Sequence, residues 1–205
     1  MKEPTIHSLF PTPIYKTKMD RGFTKQELLF VKEQKKHCVK NEGNMHTIDN
    51  YILNKKEFKN LHKLITNECN NYLKKVICPK NKIEIKITQS WLNYTEQNEF
   101  HHKHSHPNSF ISGVLYFDSN KDNDRILFTK QEYQQISPEV ESYNLWNSLT
   151  WWFSVGTGDL VMFPSSTIHQ VETKKGTNTR ISLAFNTFIS GVVGSPDSLD
   201  ELNLG

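Results

Sequence analysis

Four of the nine histidines in this sequence lie within six positions, since residues 101–106 read His-His-Lys-His-Ser-His, and a fifth, His169, follows about sixty residues later. In an extended segment alternate side chains point to the same side of the backbone, so His104 and His106 can bind one ion. A third imidazole, from His169, would complete one face of the coordination sphere. The spacing therefore predicts a metal centre.

An arginine and a serine stand two positions apart shortly after this third histidine. Arg180 and Ser182 lie in a segment predicted to be a strand, where both side chains would point to one side. A planar guanidinium holds a carboxylate through two parallel charge-assisted hydrogen bonds, which lysine cannot reproduce. A metal next to such a pair indicates iron together with a dicarboxylate cosubstrate.

The histidine cluster also has a simpler interpretation, because histidine-rich surface tracts bind metals weakly without any function. His169 alone would more often be structural, but it follows a predicted strand at 159–163 and a turn that would return it to the interior. The combination favours a shared site. Asn93 and Tyr116 have two open interpretations, as donors of hydrogen bonds to the cosubstrate or as polar and aromatic core residues.

Composition excludes several classes of protein. The 205 residues have a net charge of +3, from 25 basic and 22 acidic residues that are mostly interspersed, so nucleic-acid binding is not indicated. Three cysteines are an odd number without metal spacing, which argues against a disulfide framework and favours a reducing cytoplasm. No apolar run approaches the roughly 20 residues that cross a bilayer, so no membrane partner is expected.

The chain reads as a single domain, 1–205, with a helical first part and a strand-rich second part. Residues 1–81 are predicted to form an N-terminal strand and a helical buttress, with helices from Thr24 toward Val39 and from near Asn54 to Pro79. Residues 82–205 are predicted to form a jelly-roll core that carries the metal site. Strands are predicted at 83–93, 110–117, 126–128, 150–155, 159–163, 169–172 and 181–189.

This pattern predicts a mostly β fold with flanking α-helices, a double-stranded β-helix of the jelly-roll or cupin-like type, with the N-terminal helices packed on one sheet. The segment 130–147 is long for a loop in such a barrel and has little periodicity. Insertions of this kind often serve as lids or recognition elements.

Several segments, taken in order, resemble the 2-oxoglutarate and Fe(II)-dependent oxygenases, in particular a poorly characterised group often found in bacteriophage genomes. The resemblance covers about residues 89–205, and residues 7–15 also look like the opening of that group. The segments are Gln-Ser-Trp-Leu-Asn at 89–93, His-Ser-His-Pro-Asn-Ser at 104–109, Ser-Gly-Val-Leu-Tyr at 112–116, Phe-Pro at 163–164 with His169, Arg-Ile-Ser at 180–182, Asn-Thr-Phe at 186–188 and the closing 191–204.

The resemblance implies a role for each matching residue. His104 and His106 would be the first two ligands of Fe(II) and His169 the distal ligand, while Arg180, assisted by Ser182, would hold the far carboxylate of 2-oxoglutarate. Dioxygen would then convert 2-oxoglutarate to succinate and the enzyme would hydroxylate a C–H bond of an unidentified substrate. A phage-encoded protein of this kind would work in the host cytoplasm.

One position departs from the wider superfamily, whose second ligand is usually a carboxylate where this chain has His106. Three neutral imidazoles leave the charge of Fe(II) to be balanced by the dianionic cosubstrate. His102 with His104 is an alternative pair of ligands, and Asp118 or Asp122 would approach the metal if their loop folded inward. Zinc suits an all-histidine site as well as iron.

Three functions from different classes stay open at this point. The first is the oxygenase, acting on a small molecule, a nucleotide or a protein side chain. The second is a cupin-like metalloenzyme with a three-histidine site that does not use 2-oxoglutarate. The third is a non-catalytic jelly roll that serves as a structural or binding module. The segment Arg180-Ile181-Ser182 favours the first over the second, because a preplaced cation needs an anionic partner.

Overall fold

The structure is a computed structural model that describes residues 2–132 and 136–205. In those residues, strands outnumber helices and form two facing antiparallel sheets. The strands are β1 (Tyr15–Lys18), β2 (Cys38–Lys40), β3 (Met45–Thr47), β4 (Ile83–Thr95), β5 (His101–His104), β6 (Ile111–Asp118), β7 (Arg125–Thr129), β8 (Thr150–Ser154), β9 (Asp159–Pro164), β10 (Ile168–Val171), β11 (Arg180–Val193) and β12 (Leu202–Asn203).

The larger sheet has the order β1-β9-β6-β11-β4-β3-β2, with β12 on the end of β11, and the smaller sheet has the order β5-β10-β7-β8. From β4 onward the chain passes back and forth between the two sheets, which is the winding of a jelly roll. The predicted fold class, a double-stranded β-helix with N-terminal helices on one sheet, is confirmed.

The first helix, α1 (Lys25–Gln34), begins at the predicted capping box. The Thr24 hydroxyl accepts a hydrogen bond from the backbone of Glu27, and the Glu27 carboxylate accepts one from the backbone of Thr24. The helix ends before the predicted Val39, because residues 38–40 instead form β2 and pair with β3. Neither of these two short strands was predicted, since three residues carry almost no period-two signal.

The second helix, α2 (Lys59–Tyr72), continues through a wider turn at Leu73–Ile77 and stops before Pro79, as predicted. Its buried face packs on the outer side of the larger sheet, where Cys69 Sγ lies 3.8 Å from Met162 Sδ of β9. Its apolar stripe therefore serves packing. None of the helices in the described residues is both long and apolar enough to cross a membrane.

A second, smaller apolar cluster lies between the two sheets and includes Tyr116, Phe128 and Phe163. This cluster fills the barrel on one side of the histidines, since the Phe163 ring lies 4.6 Å from the His169 ring. The apolar packing holds the strands of the smaller sheet at a fixed distance from β6 and β9. The histidines predicted to bind a metal are therefore placed on a well-packed barrel wall.

The strands predicted from Ile83 onward all appear, with ends that differ by no more than a few residues. The predicted 130–147 loop includes residues 133–135, which lie outside the described part of the chain. Of its other residues, Leu145 and Trp146 line a groove of about 750 Å³ together with residues 8–14. The two cavities at the clustered histidines are lined by none of the described residues of this loop.

Candidate metal centre

Three imidazoles predicted to share an ion come together at the edge of the smaller sheet. His104 is the last residue of β5 and lies directly opposite His169 in the antiparallel pairing with β10. His106 follows in a loop, where its backbone N–H donates a 2.9 Å hydrogen bond to the carbonyl of Ser165. One nitrogen from each ring lies within 4.8 Å of the others, a separation from which all three can bind one ion.

Backbone carbonyls orient two of these rings. His104 Nδ1 lies 2.8 Å from the carbonyl oxygen of His102, and His169 Nδ1 lies 3.1 Å from that of Thr167. A carbonyl can only accept a hydrogen bond, so each Nδ1 carries the proton and donates it. The Nε2 atoms then keep their lone pairs, which is the form that binds a metal.

The environment keeps the triad uncharged. Burial, assisted by the neighbouring imidazoles, lowers the pKa of His106 to about 4 and that of His169 to about 3. Burial also lowers the pKa of His104. At neutral pH the three rings are therefore neutral, each with one nitrogen that carries no proton, so a divalent cation does not have to displace protons in order to bind.

A β-bulge brings a fourth histidine to the same side. His104 pairs with His169 and His101 pairs with Val171, so three steps along β5 match two along β10. The His101 ring consequently stacks on His104 with their centroids 4.7 Å apart, instead of pointing to the opposite face. His101 and His102 are both partly buried.

The predicted alternative ligands have different outcomes. His101, His102 and His104 also have nitrogens within 4.8 Å of one another, so the pair His102 and His104 stays a geometric alternative. Asp118 and Asp122 are exposed, and Asp118 Oδ1 accepts a hydrogen bond from Asn178. Among the described residues, every side chain in the two possible metal-binding groups is an imidazole.

The predicted cosubstrate residues meet in one small chamber beside the triad. In the register of β4 and β11, Arg180 pairs with Thr95 and Ser182 with Asn93, and these side chains line the chamber together with Tyr116 of β6. Its walls also include His104, His106 and His169. The chamber volume is about 30 Å³, the space of roughly one water molecule, so a larger ligand requires side chains to move.

Arg180 is held in place by a residue that the sequence did not reveal. Its Nη1 atom donates a 3.0 Å hydrogen bond to Asp124 Oδ1, and both side chains are almost fully buried. The other oxygen of Asp124 accepts hydrogen bonds from the Ser119 hydroxyl and the Asn120 backbone. Nothing in the sequence marks Asp124 among the neighbouring Asn and Asp residues of its turn.

Three polar atoms at the chamber have no hydrogen-bond partner among the described residues. They are Nη2 of Arg180, Oδ1 of Asn93 and the hydroxyl of Tyr116, and all three are buried. An unpaired buried polar group costs about 1–3 kcal/mol, more when it is charged. A free guanidinium N–H beside a hydroxyl donor suits a carboxylate, so these residues fit the dicarboxylate cosubstrate in chemistry, although not yet in volume.

A network of buried hydroxyls supports the loop that carries His106. The Ser165 hydroxyl lies 2.7 Å from that of Ser109 and 2.8 Å from that of Ser112, and the Ser112 hydroxyl donates to Asn186 Oδ1. The carbonyl of Ser165 is also the acceptor for the His106 backbone. The network joins β6, the end of β9 and β11 behind the loop, and nothing in the sequence marked it beyond the serines themselves.

An open cleft of about 700 Å³ lies on the other side of the triad. It shares Trp91, His101, His104 and His106 with the chamber, and it continues past Asn186 toward Tyr51. His46, which appears isolated in the sequence, also lines it, because β3 pairs with β4. A volume of this size is typical of sites for small molecules.

The central part of the chain has recognisable relatives. Residues 89–186, just under half of the chain, match a protein family described as "Putative 2OG-Fe(II) oxygenase". The match contains all three histidines of the triad, Arg180 and Ser182. No curated protein sequence matches the chain significantly.

Several solved structures share the fold at low sequence identity. HygX from Streptomyces hygroscopicus, solved with nickel, 2-oxoglutarate and hygromycin B, has a TM-score of 0.60 at 10% identity, over 86% of this chain and 82% of that one. The epimerase SnoN from nogalamycin biosynthesis has a TM-score of 0.63 at 9% identity, over 86% and 76%. A prolyl-4-hydroxylase from Pseudomonas putida has a TM-score of 0.55 at 11% identity, over 86% and 92%.

Proposed function

We propose that this protein is an Fe(II)- and 2-oxoglutarate-dependent oxygenase. The observation that carries the proposal is the chamber, where three neutral imidazoles that can bind one ion face the same space as an unpaired guanidinium N–H. The family match over residues 89–186 and the shared fold support it. Bound iron would supply activation of dioxygen, coupled to decarboxylation of 2-oxoglutarate to succinate.

Different residues would bind the metal and the cosubstrate. His104, His106 and His169 would hold the metal through their unprotonated nitrogens. Arg180 would donate its free Nη2–H to the far carboxylate of the cosubstrate, with Ser182, Asn93 and Tyr116 adding neutral contacts. The buried walls would exclude water from the reacting groups, which strengthens each of these interactions.

The charges of this site would balance without a carboxylate ligand. The two positive charges of Fe(II) would be matched by the two negative charges of 2-oxoglutarate, and Arg180 is matched by Asp124. A site with a carboxylate on the metal and an unpaired arginine would have the same total. Asp124 therefore supplies, beside the arginine, the negative charge that His106 does not supply at the metal.

We infer hydroxylation of a C–H bond as the outcome. A prolyl-4-hydroxylase has this fold, but an epimerase has it too, so the fold does not select the reaction. We choose hydroxylation because it is the simplest transfer of an oxygen atom to a substrate. We also infer one domain over 1–205, since β1, β2 and β3 belong to the same sheet as β4. The free cysteines are consistent with work in a reducing cytoplasm, including a host cell if the gene is of phage origin.

One observation favours a second candidate. In the described part of the chain every ligand in reach is an imidazole, and Asp124 already neutralises Arg180, so a three-histidine metalloenzyme that does not use 2-oxoglutarate would also be electrically reasonable. In that case the chamber would hold only water. The non-catalytic jelly roll has no such support, because a convergent neutral triad is costly to bury without a ligand.

The decisive experiment is anaerobic addition of Fe(II) and then 2-oxoglutarate, followed by oxygen and measurement of succinate. Chelation of the metal by the cosubstrate should produce a weak visible charge-transfer band, and oxygen should then release succinate. Iron binding without the band would select the second candidate. Failure to bind any divalent metal would leave only a structural or binding role.

A further inference from the structure

The open cleft beside the triad differs from the rest of the molecular surface in its charge. Charged residues make up 23% of the sequence, yet none of the described residues that line the cleft is Asp, Glu, Lys or Arg. The buried pair of Arg180 and Asp124 belongs to the chamber and does not reach this surface. A phosphate or carboxylate on a ligand would find no lysine or arginine here, since histidines are the only basic side chains in the lining, and an ammonium group would find no carboxylate.

Carboxamides and aromatic rings take the place of charges. Each carboxamide offers both donors and acceptors, which suits hydroxyl and amide groups on a ligand. Two aromatic side chains, Trp91 and Tyr51, can lie against a ring, and Tyr51 is 55% exposed. The carboxamides in the lining are Asn41, Asn50, Gln89, Asn108 and Asn186.

Several of these groups are held in position by the fold. The Asn186 carbonyl oxygen accepts a 2.8 Å hydrogen bond from Ser112, so its amide nitrogen is directed toward Gln89, 3.5 Å away. Asn108 has a φ of +55°, a conformation that asparagine tolerates better than most residues. The cleft is therefore built in advance, and its contacts do not depend on long flexible side chains.

The strand register leads from this surface to the metal centre. Along β4 and β11, Gln89 pairs with Asn186, and the next inward pair is Trp91 with Ala184, at the level where the Trp91 ring lies 5.9 Å from that of His106. A ligand that contacts Gln89 and Asn186 would lie two residues along the strand from the level of Trp91 and His106, a distance of about 7 Å. A bond of the ligand can thus reach the metal while its polar groups stay in the cleft.

We propose that the cleft binds the substrate, and that this substrate is an uncharged ring-containing molecule with several hydroxyl or amide groups. Neutral glycosides and nucleosides share this chemistry. The inference rests on the proposed oxygenase function, which it extends by assigning the class of substrate. It excludes phosphorylated metabolites, nucleotides and acidic or basic peptides as preferred ligands.

The test compares matched pairs of neutral and phosphorylated compounds on the full-length protein, as purified and again with Zn(II) and 2-oxoglutarate present. Saturation-transfer-difference NMR and calorimetry would measure binding of neutral mono- and disaccharides and nucleosides, each against its phosphorylated counterpart. We expect neutral compounds to bind about tenfold or more tightly than their counterparts, and the two panels decide between glycosides and nucleosides. Equal or tighter binding of phosphorylated compounds, or no binding of either neutral panel, overturns the inference.

Variants tie this binding to the cleft. Tyr51→Ala should weaken binding of the neutral ligand severalfold, whereas Tyr143→Ala, which removes a 75% exposed tyrosine away from the cleft, should not change it. Gln89→Lys should strengthen binding of the phosphorylated counterpart, because it places a cation in the cleft. Equal effects of the two tyrosine variants, or no gain from Gln89→Lys, would contradict the assignment.

The outcome separates this inference from the proposed function. If the protein releases succinate but binds neutral and phosphorylated compounds equally well, the neutral-substrate assignment is wrong and the proposed oxygenase function still stands. If the protein binds neutral compounds selectively but shows no visible charge-transfer band with 2-oxoglutarate, the cleft is still a site for neutral ligands and the oxygenase proposal is wrong.

Discussion

Asp124 accepts a 3.0 Å hydrogen bond from the guanidinium of Arg180, and both side chains are almost completely buried in the barrel. The pair leaves one nitrogen of the arginine, Nη2, without a partner among the described residues and places it at the chamber beside the three histidines. Asp124 thus fixes the arginine in one orientation and compensates its charge while the chamber holds no anion. This relationship leads to the first two predictions.

Asp124→Ala should lower the free energy of unfolding by about 3–5 kcal/mol, because it leaves the buried guanidinium of Arg180 without a counter-charge. The measurement is chemical denaturation of the metal-free protein. Asp122→Ala is the matched control, since Asp122 is exposed in the same turn and should change stability by less than about 0.5 kcal/mol. Similar losses in both variants would show that the ion pair is not important for stability.

Arg180→Lys should weaken 2-oxoglutarate binding by about tenfold or more while Fe(II) still binds, because an ammonium group cannot reproduce the planar guanidinium that bonds Asp124 through Nη1 and directs Nη2 into the chamber. Titration of the visible band under anaerobic conditions measures the affinity. Arg125→Lys is the control, since Arg125 lies over the Trp152 ring and does not line the chamber. An unchanged affinity in Arg180→Lys would remove this residue from cosubstrate binding.

His169→Ala should lower Fe(II) affinity by on the order of 100-fold or more, because His169 is the one member of the triad that β10 contributes. His102→Ala should have a much smaller effect. The measurement is metal competition with a chromophoric chelator, and circular dichroism would check that both variants are folded. The reverse order of the two effects would place the ion at the group formed by His101, His102 and His104.

Ser165→Ala should destabilise the protein by about 1–2 kcal/mol, since the hydroxyls of Ser109 and Ser112 both lose a buried partner. Fe(II) affinity should fall only modestly, because the backbone carbonyl that holds His106 remains. Ser166→Ala changes the exposed neighbour and should have no measurable effect on either quantity. Thermal unfolding with and without metal would compare the two variants.

Local patterns in the sequence were sufficient for much of the fold. The capping box at Thr24 and Glu27 marks the start of α1, and the apolar period of α2 marks its packing face, because both depend on neighbours within one or two turns. Alternation marks the long strands from Ile83 onward. The three-residue strands β2 and β3 were missed, since β2 is paired only with β3, and the pairing of β3 with β4 joins distant chain segments.

The sequence by itself determined which residues offer metal-binding and anion-binding chemistry, because imidazole and guanidinium groups have these properties wherever they lie. Only the tertiary structure decided how they meet. The bulge in β5 turns His101 inward, the carbonyl of Ser165 holds His106 beyond the end of its strand, and Asp124 reaches Arg180 across 56 positions. The physical reason is that each contact joins segments far apart in the chain, whose distance is set by the packing of two sheets and not by local periodicity.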